Sequence, residues 1–299
     1  MVSEAARVPT LPAALFRALR PRQWVKNGVL FAGLVFTLNQ GHTVADWLRV
    51  LAAALVFCLL SSAIYLINDL CDLEQDRNHP VKRLRPLAAG HLAPGVARIA
   101  AGTLLVGGLV AAWALGWLFA LVAATYVVLT ISYSLRLKHV VLLDVMALAL
   151  GFVLRAAAGA VVISVTISPW LFGVTFLGSL LLGLAKRRAE LVTLEEAGSH
   201  RRSLDEYSVE MLDWMIVVIA ASALVAYMLY TVTSATAQHH PLLILTIPFV
   251  VYGMLRFFYL IHRHGKGADP STDLTEDRQL LVCGFLWAAT CALVMVFGR

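Results

Sequence analysis

Long apolar runs separated by short polar or charged breaks dominate this chain from residue 22 onward. Each run is about 18 to 25 residues long, enough for a helix to cross a hydrocarbon core of roughly 30 Å. Runs and breaks together predict nine spans at about 22–39, 46–70, 94–115, 117–135, 141–163, 169–187, 211–234, 241–262 and 277–298. The expected fold class is all-α, a polytopic membrane protein. Residues 1–20 form a lead, and 21–299 form the membrane domain. The "LPAALFRALR" part of the lead suits a basic amphipathic helix on the membrane surface, or a disordered tail.

The breaks alternate in character. Those after spans one, three, five and seven read "NQGHTVAD", "LG", "SVTIS" and "SATAQHH", while the others hold most of the positive charge. Of 24 Lys and Arg, only Arg49 and Arg299 fall on the poorly charged side. The positive-inside rule then puts the N-terminus and the charged loops in the cytoplasm and the C-terminus outside, in a bacterial inner membrane. The first apolar run lacks a small-residue cleavage pattern, so no cleavable signal is expected.

Composition agrees with this picture. The chain has 299 residues, 60% hydrophobic and 14% charged, with a mean hydropathy of +0.79, outside the soluble range. Topology and anionic headgroups account for the pI near 9.3, so no nucleic-acid partner is expected. The four cysteines show no metal spacing and read as reduced and structural. A homo-oligomer stays open, because apolar surface satisfies lipid and protein alike.

Charge concentrates in "LINDLCDLEQDRNHPVKRLRP", residues 66 to 86. If span two continues as helix, Asn68, Asp72 and Asp76, four apart, share one face with Asp69 beside them. Like charges at that spacing repel, and a divalent cation relieves the repulsion; these oxygens are ligands of the kind Mg²⁺ takes. Asn68, Asp69, Asp72 and Asp76 are therefore candidate metal ligands. The alternative is a solvated helix end, but Asn68 and Asp69 still lie at membrane depth, where polar groups are costly. The bases that follow, Arg77, His79, Lys82, Arg83 and Arg85, exceed what topology needs in one loop, and guanidinium groups grip phosphate in bidentate fashion. Carboxylates and bases together suggest a metal-bound diphosphate.

Three other charged segments share this chemistry. "RPRQWVKN" puts Arg20, Arg22, Gln23, Lys26 and Asn27 at the start of span one, with Trp24 as an interfacial anchor. "YSLRLKHVVLLD" supplies Tyr133, Arg136, Lys138 and Asp144. "LAKRRAELVTLEEAGSHRRSLDEYS" supplies Lys186, Arg187, Arg188, Glu190, Arg201, Arg202, Asp205 and Tyr207, with Lys186 and Glu190 spaced to pair with each other. Within span five, Arg155 sits near mid-membrane, about three turns after Asp144 and facing nearly the same way. It must face the bundle interior or a wet cavity, to bind substrate or a structural partner. The small residues of "RAAAGA" let another helix approach closely.

"NDLCDLEQD" with "RNHP", after the second of nine spans, resembles the first aspartate-rich motif, NDxxDxxxD, of the UbiA superfamily of intramembrane prenyltransferases. The resemblance runs from "RPRQWVKN" to the ninth span. It implies helices bundled around a central cavity, cytoplasmic cap loops that bind Mg²⁺ and diphosphate, and a lateral opening for a lipid chain. The second cap departs from the ordinary pattern: "AKRRAEL" and "RRSLDEYS" stand where a second acidic motif is expected. Together with "YSLRLK" these segments resemble one branch, the decaprenyl-phosphate phosphoribosyltransferases. That likeness implies phosphoribosyl diphosphate as donor and a polyprenyl phosphate as acceptor, in cell-envelope arabinan precursor synthesis.

Under that reading Asp72, Asp76 and Asn68, with Asp69, hold Mg²⁺ on the donor diphosphate, and Lys82, Arg85 and Arg77 assist. Lys138, Lys186, Arg187 and Arg202 are candidates for the donor 5-phosphate or the acceptor phosphate. Tyr133, Glu190 and Tyr207 would orient hydroxyls, as would Gln23 or Asn27. The alternatives are prenyl transfer to an aromatic or lipid acceptor and, in another class, a transporter or flippase. Charges gathered on one membrane side argue against a translocation path.

Overall fold

Among the described residues, helices are the regular elements that the apolar runs adopt, as expected where each span in a bilayer must satisfy its own backbone groups. In the computed structural model of the chain, the described residues are 9–37, 41–166, 169–195, 206–267 and 276–297. They form α1 (Leu11–Ala18), a 3-10 segment (Pro21–Phe31), α2 (Ala32–Val35), α3 (Val44–Cys71), α4 (Leu73–Asn78) and α5 (Pro94–Leu115). Next come α6 (Trp117–Leu135), α7 (Leu143–Val162), α8 (Pro169–Glu195) and α9 (Val209–Thr233). Last are α10 (Ala235–His239), α11 (Ile247–His264) and α12 (Arg278–Phe297).

Among the described residues, seven stretches are long and apolar enough to cross a membrane: α3, α5, α6, α7, α9, Pro241–His264 and α12. They coincide with seven of the nine predicted spans. The protein is a multi-pass membrane protein. The span expected at 169–187 is α8, which continues as helix to Glu195 and carries Lys186, Arg187, Arg188 and Glu190 on its last turns. The span expected at 22–39 needs correction: Pro21–Phe31 is a 3-10 helix, and only Ala32–Val35 is α-helical. A 3-10 helix rises about 2.0 Å per residue, so these eleven residues cover about 22 Å.

Packing accounts for that geometry. The 3-10 segment lies so close to α7 that a Cβ on Gly159 would sit 1.8 Å from the Leu30 carbonyl oxygen, and one on Gly33 would sit 3.1 Å from Ala160 Cα. The small residues of "RAAAGA" do permit close approach, but by a 3-10 segment. The Trp24 indole donates to Ser62 Oγ at 3.0 Å, and Ser62 Oγ donates to the Leu19 carbonyl at 2.9 Å. Both bonds tie the chain entering the bundle to α3.

α3 and α7 lie at the centre. Each has 61% of its apolar window buried, against 22–33% for the other five stretches. One core joins the 3-10 segment, α3, α6 and α7 through Leu30, Phe57, Leu60, Phe119 and Tyr126. A second joins α7, α8, α9 and α11 through Val145, Leu184, Leu212, Ile216 and Phe257. α7 belongs to both, so any group on its inner face is positioned from two sides. Gly116, at φ 139°, makes the tight turn from α5 to α6 that the two-residue break predicts.

Candidate active site

α3 stops at Cys71, and α4 resumes at Leu73 after a break at Asp72, with φ −98° and ψ 11°. The expected helical continuation is therefore present, with one residue out of register. Asp69 and Asp76 are buried, while Asn68 and Asp72 are half-buried.

Cations from three other segments meet these acids. Arg20, in the left-handed region at φ 53°, pairs with Asp69 Oδ1 and covers the Tyr65 ring at 4.8 Å. Arg85 Nη1 bridges two acids, 2.5 Å from Asp76 Oδ2 and 3.2 Å from Asp69 Oδ1. Lys138, buried on the short turn Leu137–His139, reaches Asp72 Oδ1 at 2.5 Å. Charge-assisted bonds of this kind are roughly twice as strong as neutral ones. They fix the carboxylates where the 3-10 segment, the 79–86 loop and the α6–α7 connection converge.

A second cluster lies at the start of α7. Asp144 is fully buried, and Arg187, 1% exposed, places Nε 2.6 Å from its Oδ2. Arg187 also pairs with Glu190, one turn along α8, and donates from Nη2 to Tyr133 Oη at 3.1 Å. Tyr207 donates to Asp144 Oδ1 at 3.1 Å and accepts from the Leu142 amide at 2.8 Å. That bond holds Leu142 at φ 66°, a conformation unusual for a bulky residue and one that clusters at functional sites. Burial pushes the Tyr207 hydroxyl up to about 12, so it stays a neutral donor. The α6–α7 connection links the clusters, giving Lys138 to the first and Tyr133, Leu142 and Asp144 to the second. An apolar groove of about 660 Å³ borders the second, lined by Leu142, Val145, Met146, Leu184, Trp214 and Met215.

The remaining predicted residues fall out as follows. Gln23 and Lys26 are half-buried on the 3-10 segment, and Arg77 and Lys82 are exposed on or just after α4. His79 Nδ1 accepts from the Val81 and Lys82 amides at 3.2 and 3.3 Å, which closes the Lys82–Leu84 turn. Burial, and then the Lys82 charge, hold its imidazole below the usual histidine value. Lys186 is 3.9 Å from Glu190, and the closer partner of Glu190 is Arg187. Arg155 lies apart from both clusters, bonded to Asn27 Oδ1 at 2.9 Å; Asp144 and Arg155 share an inward face but not partners. Arg202, with Arg201 and Asp205, lies outside the described residues.

Sequence reasoning named Arg20 only as one base of "RPRQWVKN", with no carboxylate partner, and did not single out Tyr126. For Arg20 the signal was its place beside Pro21, where the chain turns. For Tyr126 it was a hydroxyl in the middle of an apolar span.

Among the described residues no three His, Cys, Asp or Glu side chains are gathered as a metal-binding group. The donor chemistry still fits Mg²⁺, which takes one or two protein carboxylates and completes its shell with water and substrate phosphate. Asp72, half-buried, and Asp76, paired with Arg85 alone among the described residues, fit that requirement better than Asp69, which Arg20 and Arg85 share.

Comparison with known proteins bears on the fold and the family. Residues 29–274 match the model of the UbiA prenyltransferase family. The chain is 35% identical over 301 residues to the decaprenyl-phosphate phosphoribosyltransferase of Mycolicibacterium smegmatis, covering 96% of this chain and 94% of that one. It is 33% identical to the protein of the same name from Mycobacterium tuberculosis, with 96% of each covered. A solved UbiA homolog from Archaeoglobus fulgidus, bound to GPP and Mg²⁺, shares the fold at a TM-score of 0.72 and 18% identity, covering 95% of this chain and 99% of that one. The chain belongs to the UbiA prenyltransferase family.

Proposed function

We propose that this protein transfers a 5-phosphoribosyl group from phosphoribosyl diphosphate to a polyprenyl phosphate, decaprenyl phosphate in the first instance, and releases diphosphate. The observation that carries this reading is the make-up of the second cluster. Where a second acidic motif would hold a prenyl diphosphate, the chain puts Arg187 against Asp144, Glu190 and Tyr133. A site with one acidic end and several cations suits two phosphorylated substrates. The curated relatives named above support the same assignment.

Asp72 and Asp76 would hold Mg²⁺, which when bound offsets diphosphate charge and makes it a better leaving group. Arg85 and Lys138, which neutralise these acids here, are positioned to turn their donors to diphosphate oxygens, with Arg77 and Lys82 at the rim. An oxygen of the lipid phosphate attacks ribose C1 on the face opposite the diphosphate. The new C1–O bond forms as the old one breaks, and its electron pair leaves with the diphosphate. The acceptor is already an anion, so no strong general base is needed. The protein contributes position and fixed charge. Tyr133, Glu190 and Tyr207 orient donor hydroxyls, and the groove beside Leu142 suits an apolar tail.

The surplus of Lys and Arg at this end supports a site on the cytoplasmic side, where phosphoribosyl diphosphate is available, in a bacterial inner membrane. The product then serves cell-envelope arabinan precursor synthesis. A donor panel tests the reading. Purified protein should consume phosphoribosyl diphosphate and leave prenyl diphosphates untouched in the presence of aromatic acceptors. Consumption of a prenyl diphosphate without any phosphoribosyl lipid would overturn it.

A further inference from the structure

Three cations are buried among the described residues: Lys138, Arg155 and Arg187. Lys138 and Arg187 each have a carboxylate, at 2.5 and 2.6 Å. Arg155, 7% exposed on the inner face of α7, has none among the described residues. Its Nε donates to Asn27 Oδ1 at 2.9 Å, Nη1 to the Gly151 carbonyl at 3.0 Å and Nη2 to Tyr126 Oη at 2.7 Å. The Tyr126 and Phe152 rings lie 4.6 and 5.1 Å from its central carbon. Every one of these partners is neutral.

Such a shell satisfies hydrogen bonds but not charge. An isolated cation at membrane depth is costly. The fold nevertheless builds the seat carefully. Asn27 is itself fixed by donating to Cys58 Sγ at 3.3 Å. Three of the five N–H groups of the guanidinium are used, one on each nitrogen, so each terminal nitrogen keeps one donor.

Depth identifies the anion. Side chains on a helix lean toward its N-terminus, and the Arg155 head reaches back to Gly151, seven residues or about 10 Å along α7 from Asp144. That separation is on the scale of one sugar phosphate between the polar clusters and the bundle interior. We propose that Arg155, seated by Asn27 and Tyr126, is the subsite for a phosphate monoester group carried in by a substrate. The inference rests on the function proposed above, and two groups have the required chemistry: the donor 5-phosphate and the phosphate of the lipid acceptor.

Direct binding measurements on the intact protein, with each ligand alone, separate these sources. Wild type, Arg155→Gln and Arg155→Lys are each titrated with phosphoribosyl diphosphate, polyprenyl phosphate and the corresponding polyprenol, and thermal unfolding is followed in parallel. Arg155→Gln should weaken one phosphorylated ligand about 10- to 100-fold, the size of a lost charge-assisted contact, and leave the other within about twofold. Arg155→Lys should restore part of the loss. Weakened phosphoribosyl diphosphate assigns the 5-phosphate; weakened polyprenyl phosphate with unchanged polyprenol assigns the acceptor. Unchanged affinity for both phosphorylated ligands overturns the subsite and leaves the proposed function standing. Equal weakening of both, with lower thermal stability that lysine does not restore, makes Arg155 structural and also overturns it. A wild-type protein that binds neither phosphorylated ligand overturns the proposed function and the subsite with it.

Discussion

Lys138 Nζ lies 2.5 Å from Asp72 Oδ1, joining residues 66 apart in sequence across the end of the bundle. Lys138 is buried, and its side chain spans from the α6–α7 connection to the break between α3 and α4. Replacing it with Met removes a cation from the proposed diphosphate position while keeping the length of the side chain. Donor KM should rise about tenfold or more, the scale of one lost charged contact, and kcat should fall less. Steady-state kinetics with phosphoribosyl diphosphate varied provides the check.

Asp72→Asn and Asp76→Asn keep size and helix position but remove the charge that would hold Mg²⁺. Turnover should drop about 100- to 1,000-fold in each, comparable with losing one preorganised electrostatic group. Expression and detergent-monitored melting should stay near wild type. Unchanged turnover would remove both carboxylates from catalysis.

Asp144→Asn removes the fully buried carboxylate partner of Arg187 and leaves it Glu190, at the half-exposed end of the cluster. Breaking one side of a buried ion pair costs up to about 3–5 kcal/mol, and the remaining Glu190 contact offsets part of that, so the melting temperature should fall by less than a full loss of neutralisation would give. Asp144→Leu combined with Arg187→Met should recover much of the stability without recovering activity. A double variant as unstable as the single one would show that the pair does more than neutralise itself.

Gly159→Ala should be the most damaging small substitution on α7, because its Cβ would lie 1.8 Å from a backbone oxygen that cannot move aside alone. Overpacking of this kind costs about 1–3 kcal/mol or more. Gly173→Ala, where nothing lies within 4 Å, is the control and should melt like wild type.

His79 gives a pH dependence of definite sign. Its native value is held below the ordinary 6.5, so folding favours the neutral ring that accepts from Val81 and Lys82. The stability this gives the loop is complete above about 6.5 and is lost as pH falls through the depressed native value. Amide exchange at Val81 and Lys82, corrected for intrinsic rates, should accelerate across that window. In His79→Asn, whose side-chain oxygen accepts without titrating, the acceleration should be absent.

Seven spans were legible because hydropathy over a helical length is a local property, and the acidic motif was legible because its spacing is local too. The pairing of charges was not. Lys138 with Asp72 and Arg187 with Asp144 depend on how α6, α7 and α8 pack, which residue spacing within one segment cannot encode. The choice between Lys186 and Arg187 was partly readable, since Arg187 falls in phase with the buried Leu180, Leu184 and Leu191 of α8. The first span was misread because apolar length alone does not separate an α-helix from a 3-10 segment, and Gly159, which lets the chain approach closely, lies on another helix.

Product analysis on purified wild-type protein, with phosphoribosyl diphosphate and polyprenyl phosphate, reads phosphoribosyl transfer itself. One diphosphate should be released for each phosphoribosyl lipid formed, with dependence on both substrates, loss of turnover on chelation and its return with Mg²⁺. Diphosphate release without a phosphoribosyl lipid, or undiminished turnover under chelation, would contradict the proposed Mg²⁺-dependent transfer.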